Sequence, residues 1–199
     1  GGSGSRPVKG TFDLFDHPGA RYALAVDRSG AALIDVAAFG EPAVVQPADP
    51  GTRLASATAT EVEPVHWVDS EDEWLWGRAM VLSAAFLAGL AGAATALATE
   101  HARTREQFGK PIGVHQAIKH TCVNMEVAAE AAQAQTLFAA IAFDTGRSDA
   151  LLQVLSAVHV AGQAAVDNAA AGIQIFGGMG YTFESDMHLY LKRAHVFRH

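Results

Sequence analysis

Hydrophobic positions change their period once along this chain, near residue 69. Before that point apolar residues come in short runs: Gly10-Thr-Phe-Asp-Leu-Phe15, Tyr22-Ala-Leu-Ala-Val26, Ala31-Ala-Leu-Ile-Asp-Val36 and Ala43-Val-Val45. Turn formers such as His17-Pro-Gly19 and Arg28-Ser-Gly30 separate them. Such runs predict a few antiparallel strands, too few for a stable sheet of their own. After residue 69 the pattern becomes helical and the prolines stop, Pro111 excepted. Ser70-Glu-Asp-Glu73 predicts a helix N-terminus, with Ser70 as N-cap, Glu73 three residues on and acids in the first turn. Helices are predicted from there to about Thr104, from His115 to Thr145, from Ser148-Asp149 to about Ile175, and from Ser185 to about Arg198. Long helices joined by short turns predict an antiparallel four-helix bundle over 69–199, preceded by a partial antiparallel β-domain over 1–68. The fold class is therefore mainly α.

Small residues mark some helix faces. Gly89, Gly92, Ala93 and Ala96 recur near three- and four-residue spacing, as do Gly162, Ala165 and Ala169. Bare faces predict close helix approach. Ala79 to Ala98 runs without a charge, near the length of a membrane span, but its apolarity is mostly Ala and Gly. It reads as a buried core helix, with no membrane span.

Composition narrows the function classes. The net charge of -7 argues against a nucleic-acid surface. Cys122 is the single cysteine, so neither a disulfide framework nor a thiolate metal site is expected, and a reducing, cytoplasmic setting fits. Gly1–Ser5 has no apolar run and does not read as a secretory signal. His101, His120, His188 and His195 lack partners at ligand spacing, and His159 reads as a core or interface residue of an apolar helix.

Two stretches carry the candidate chemistry. In Arg105-Glu-Gln-Phe-Gly-Lys-Pro-Ile-Gly-Val-His-Gln116, Arg105 offers a guanidinium fork suited to a pyrophosphate. Phe108 offers a flat apolar face, Gly109 permits a turn, Pro111 stops the helix, and Gln116 brings an amide. The same residues also suit a helix stop with a cation on its last carbonyls. In Gln174-Ile-Phe-Gly-Gly-Met-Gly-Tyr-Thr182, Gly177, Gly178 and Gly180 read as close-approach, positive-φ glycines whose N–H groups can hold phosphate oxygens. A plain Gly-rich helix stop is the alternative.

As a pair, these stretches resemble the flavin-contacting signatures of the acyl-CoA dehydrogenase family, whose C-terminal helical domain reaches across a subunit interface to FAD. The resemblance implies FAD contacts at Arg105, Gln107, Phe108, Gln116, Gln174, Ile175, Phe176, Gly177 and Gly178. It implies α,β-dehydrogenation of an acyl-CoA thioester, a homo- or hetero-oligomer with an acyl-CoA dehydrogenase-type subunit, and an electron acceptor flavoprotein. The run His188-Leu-Tyr-Leu-Lys-Arg-Ala194 is similar to a divergent branch acting on steroid-CoA thioesters, where ordinary members have Arg-Asp-Ala.

The reaction needs a carboxylate over the α-carbon. The family places it either beyond the second signature, projecting just past His199, or near Ala79, and no acid lies between Glu73 and Glu100. Glu184 occupies a spot that many members fill with a non-catalytic Glu. The catalytic base is thus unassigned, and the chain alone is not expected to dehydrogenate. Val8–Phe15 resembles a strand from the middle of the family's β-domain, so the sequence reads as part of a longer polypeptide or as one subunit of a shared site. The alternative is a non-catalytic helical scaffold subunit that keeps the fold without flavin.

Overall fold

A computed structural model describes residues 6–16, 18–69 and 73–198. The described chain forms two compact units that divide between Ala79 and Met80.

The first unit is built on β1 (Val8–Phe15), β2 (Tyr22–Asp27), β3 (Gly30–Asp35), β4 (Ala43–Val45), β5 (Leu54–Val62) and β6 (His66–Asp69). They make two three-stranded antiparallel sheets, ordered β1-β5-β4 and β2-β3-β6. The four runs read from sequence are strands; β5 and β6 are additional. In β5, Ala55, Ala57 and Ala59 point inward while Thr58 and Thr60 face out. The period of two is there, but methyl groups carry it where large apolar side chains would announce a strand. Leu14, Ile34 and Phe39 fill the space those alanines leave, with Phe12 and Phe39 rings 5.8 Å apart.

α1 (Trp74–Thr104) starts later than its sequence signature. Ser70, Glu71 and Asp72 lie outside the described residues. Glu73 has φ 56°, a left-handed backbone, so it precedes the helix and does not act as a first-turn capping acid. One carboxylate oxygen of Glu73 lies 3.8 Å from Arg28. Arg28 also lies 4.9 Å over the Trp76 ring, which ties the first turn of α1 to the β2–β3 turn.

The second unit holds the rest of α1, then α2 (Gln116–Asp144), α3 (Ala150–Phe176) and α4 (Met187–Phe197). These match the four helices read from sequence to within a few residues. Their core is mostly alanine: Ala84, Ala91, Ala132, Ala139, Ala157, Ala161 and Ala165 are fully buried around Leu87 and Val154. On α3, Gly162 passes Leu87 and Arg198 in ordinary or tight contact, as a bare face should. On α1 that expectation fails. A side chain at Gly89 or Gly92 would meet nothing within 4 Å. These glycines line a groove of about 440 Å³ between α1 and α2, opposite Glu126 and Glu130. His159 is exposed, not in the core. By length and composition α1 and the stretch Ala150–Tyr181 could each cross a membrane; in the bundle both contribute buried alanines.

One polar residue sits at the centre of this apolar packing. Asn168 on α3 is 2% exposed. Its amide donates to the Met125 carbonyl of α2 at 2.8 Å and to the Thr95 hydroxyl of α1 at 3.0 Å. Thr95 passes the bond on to the Ala91 carbonyl at 2.8 Å. On the same helix Gly172 receives Met187 of α4. A Cβ at position 172 would fall 2.6 Å from the Met187 sulfur, so only glycine leaves the socket open.

Replacing Asn168 with alanine removes both short bonds and leaves a small void. The expected loss is about 2–3 kcal/mol of unfolding free energy. Urea unfolding of the variant checks this; a loss under about 0.5 kcal/mol, the size of an ordinary surface substitution, would show that the amide is not a keystone.

Candidate functional site

The C-terminal ends of α1 and α3 lie together, and both sequence signatures sit there. His101, in the last turn of α1, stacks on Phe176, the last residue of α3. The ring centroids are 3.9 Å apart and the planes 14° from parallel. Every residue of the first signature hangs from that turn.

Arg105 closes α1, its N–H donating to the His101 carbonyl at 2.8 Å. Its own carbonyl accepts from Ile112 N–H at 2.8 Å, which pins the base of a two-residue hairpin. The strands are β7 (Glu106–Gln107) and β8 (Lys110–Pro111), with Gln107 opposite Lys110. Pro111 therefore does not stop the helix, which ends seven residues earlier at Thr104; it occupies the returning hairpin strand. Phe108 and Gly109 form the tip with φ 53° and 77°. A type I′ turn needs positive φ at both central positions, and Asn-Gly is the usual choice. Phe108 takes a conformation that costs a side-chain-bearing residue roughly 1–2 kcal/mol. Its ring is 94% exposed, so no burial offsets that strain. After the hairpin, Gly113 slides flat over α1; a Cβ there would meet the Ala102 carbonyl at 2.8 Å.

Arg105 is exposed and makes no salt bridge among the described residues. Gln107 turns its amide onto the Glu106 carbonyl at 2.8 Å. Gln116 is exposed at the first residue of α2.

The second signature divides its labour differently from its sequence reading. Only Gly177 has positive φ, 63°, where it ends α3. Gly178 needs no unusual backbone, and a Cβ there would meet nothing within 4 Å. Gly180 is a packing residue, since its Cβ would fall 2.6 Å from the Ile173 carbonyl. Gln174 is exposed, its amide 3.4 Å from the Tyr181 hydroxyl. Ile175 points into the core beside Ile173 and Met187, so it offers a ligand no side chain. Phe176 has one ring face covered by His101.

The structure adds residues that sequence reasoning passed over. Tyr181, near the end of the second signature, and Phe183, just past it, are 71% and 89% exposed. Large aromatic rings in a Gly-, Thr- and Ser-rich turn were the available signal. His188 sets its ring edge-on to Phe183 at 5.3 Å. Both its nitrogens are buried without a hydrogen-bond partner among the described residues. No group of three or more metal-binding side chains occurs among the described residues.

Known proteins share this fold. Residues 73–199 match the family model described as acyl-CoA dehydrogenase, C-terminal domain. The acyl-CoA dehydrogenase IpdE2 of Mycobacterium tuberculosis is 37% identical over 147 residues, covering 74% of this chain and 43% of its own length. Among solved structures, a variant of the Tcur3481-Tcur3483 steroid ACAD aligns with a TM-score of 0.84 at 20% identity, over 99% of this chain and 56% of its own. PigA with FAD and proline aligns with a TM-score of 0.71 at 22% identity, over 85% of this chain and 47% of its own. At these identities the solved structures share the fold. The chain spans less than half the length of the curated relatives it matches.

Burial first, and the Arg105 charge second, hold the His101 imidazole below its ordinary pKa of 6.5. A base with a lowered folded pKa takes up its proton more readily when unfolded, so stability falls as pH drops below about 6.5 and stops falling beneath the folded pKa. Titration of the His101 ring by NMR should give a midpoint under 6.5. Phe176→Leu, which uncovers the ring, should move the midpoint up; an unchanged midpoint would show that the stack does not bury the imidazole.

Proposed function

The chain belongs to the acyl-CoA dehydrogenase family through its C-terminal domain, and from that premise we propose that it helps to bind FAD at a subunit interface of an α,β-dehydrogenase of CoA thioesters. The observation that carries this reading is the His101–Phe176 stack, which gathers both signatures at one end of the bundle. The residues there fit a flat, doubly phosphorylated group. Arg105 is an exposed cation without a salt bridge among the described residues, Phe108 is an exposed ring held out on a strained tip, and Gly178 is bare backbone with open space before it. None of these three is needed to pack its own bundle, and each suits contact with a molecule outside it.

In this reading Arg105 pairs with the pyrophosphate through its fork of N–H donors. Gln107 and Gln116 bring amides, and Phe108 lays its ring against a flat heterocycle. Gln174, the open face of Phe176, the backbone of Ile175 and the bare Gly177-Gly178 turn receive the nucleotide side. Bound FAD would supply the hydride acceptor. The protein's remaining task is to take a proton from the carbon α to the thioester carbonyl, which needs a positioned carboxylate. α1 carries no acid before Glu100, and Glu184 is exposed. We therefore place the base outside this stretch, on a partner subunit or on another part of the polypeptide. The His188–Ala194 run and the likeness to a steroid ACAD favour a steroid-type CoA thioester as substrate and an electron acceptor flavoprotein as the outlet. The lone cysteine and acidic balance favour a cytoplasmic setting.

Flavin content of the assembled protein tests the reading. Arg105→Ala should weaken FAD binding roughly tenfold to a hundredfold, the worth of one charged hydrogen-bonding pair. Gly178→Val should do the same without lowering the melting temperature, because the site is open within this chain. Full flavin retention by both variants would overturn the assignment.

Phe108 gives a separate test with two signs. Phe108→Asn suits the positive φ and should raise stability by a few tenths to about 1 kcal/mol. It also removes the exposed ring, so flavin affinity should fall. A variant that gains stability and keeps full affinity would show that the strained ring has no part in binding.

A further inference from the structure

His101 lays an ionisable ring between the two signatures. One face of the imidazole covers Phe176, at 3.9 Å between centroids and 14° between planes. Four residues on, Arg105 continues the helical turn with its N–H on the His101 carbonyl at 2.8 Å. That spacing sets both side chains on one face of α1, their Cβ atoms about 6 Å apart. The imidazole is half-buried and the guanidinium exposed. A phenylalanine would stack on Phe176 as well as a histidine does. What the histidine adds is a proton that comes and goes between about pH 5 and 8.

Opposed influences meet on that proton. The last turn of a helix favours a positive charge, because its carbonyls are left unpaired. Burial opposes the charge, and after it the Arg105 guanidinium. The surrounding elements carry other ionisable groups. On α1, Glu100 and Arg103 lie 4.0 Å from each other. α3 has none between Asp167 and Tyr181. The hairpin brings Glu106 and Lys110, and α2 brings Lys119 and, in the apolar cluster beside Phe176, Cys122. Tyr190 of α4 lies in that cluster too, with Glu184 and Asp186 ahead of α4 and His188 and Lys192 along it. Among all these, Arg105 is the one whose charge acts on the imidazole.

Arg105 is also the residue offered to a pyrophosphate, so seating that anion reverses its influence. The positive charge is cancelled and a net negative charge stays nearby, a field that favours the imidazole's proton. We propose that His101 is a positioning residue of the flavin end, acting through Arg105: it takes up a proton as the pyrophosphate of FAD seats, so flavin is held more tightly as pH falls. This rests on the flavin-binding reading and deepens it. The sign follows from linkage. The loaded protein binds the proton more tightly than the free protein, so affinity rises as pH falls through the loaded midpoint and levels off beneath the free one. Protonation does not undo the stack, because a cation is attracted to an aromatic face. Each phosphate of FAD carries one strongly acidic oxygen and keeps its charge across this range, so the ligand does not imitate the effect.

FAD affinity of the assembled protein tests it, read by flavin fluorescence from about pH 8 to about pH 5. Calorimetry in two buffers of different ionisation heat counts the protons taken up. Affinity should rise about threefold to tenfold toward low pH, the size of one charge–charge interaction through partly exposed protein. His101→Phe keeps a stacking ring without a proton; it should flatten the profile and abolish the uptake, whatever its affinity at high pH. Arg105→Gln, a change at an exposed position, should flatten the profile too, and should raise the NMR midpoint of the His101 ring in flavin-free protein. Should His101→Phe fold poorly, the parent decides: its His101 midpoint should be higher with FAD than without. Three results overturn the proposal: an affinity indifferent to pH, a slope that survives His101→Phe and so belongs to another group such as His115 or His120, or a midpoint that FAD leaves in place. Failure of the underlying reading is distinct. FAD that does not bind, or that binds Arg105→Gln as tightly as the parent, takes the pyrophosphate away from Arg105 and overturns both.

Discussion

Three helices meet on the side-chain amide of Asn168, and the placement of everything at the functional end follows from that meeting. Alanine surfaces let helices come close but do little to fix their relative rotation or slide, because methyl groups interlock weakly. A buried donor with two acceptors on two other helices has no such freedom: one slip leaves it unpaired in an apolar core. The Thr95 hydroxyl completes the relay by returning to the Ala91 carbonyl. With α1 and α3 locked in register, His101 arrives over Phe176, and the two signatures share one end of the bundle.

The helices were legible because their apolar period runs for many turns. Four strands were legible because Phe, Leu, Ile and Val alternate in them. β5 was not, since its inward positions are alanines and its outward ones Ser, Thr and Glu, a texture that also suits a loop. The start of α1 was misread because a Ser-x-x-Glu spacing is only a local signature, and the left-handed backbone at Glu73 takes that residue out of the helix. Pro111 was misread for a related reason: proline breaks helices, but a hairpin had already done so. The chemistry of Arg105, Phe108 and Gly178 was legible as residue types in a pattern, whereas the division of roles among the glycines was not. Gly177 serves backbone conformation and Gly180 packing, and only coordinates distinguish them from Gly178. Asn168 left a faint trace, a lone amide among alanines and glycines spaced for the buried face of α3.

Local rules are broken in places. An aromatic residue occupies a turn position that favours asparagine, and a helix shows an apolar stripe to water. Much of the rest of the described chain obeys those rules. The threonines of the helices return their hydroxyls to carbonyls one turn back, and Asp149 is drawn down to about 2 by Arg147 and Gln153 at the α2–α3 turn. Consistency across most of a chain gives a few inconsistencies their meaning.

The socket that Gly172 leaves for Met187 makes the thioether a reporter of motion. Its sulfur fills the place a Cβ would take, and the residue is fully buried. A sulfoxide, larger and polar, has no room there, and peroxide can reach the sulfur only when α4 lifts from α3. The rate at which Met187 oxidises therefore measures how often the last helix opens, and a single oxidised copy would be held from closing again.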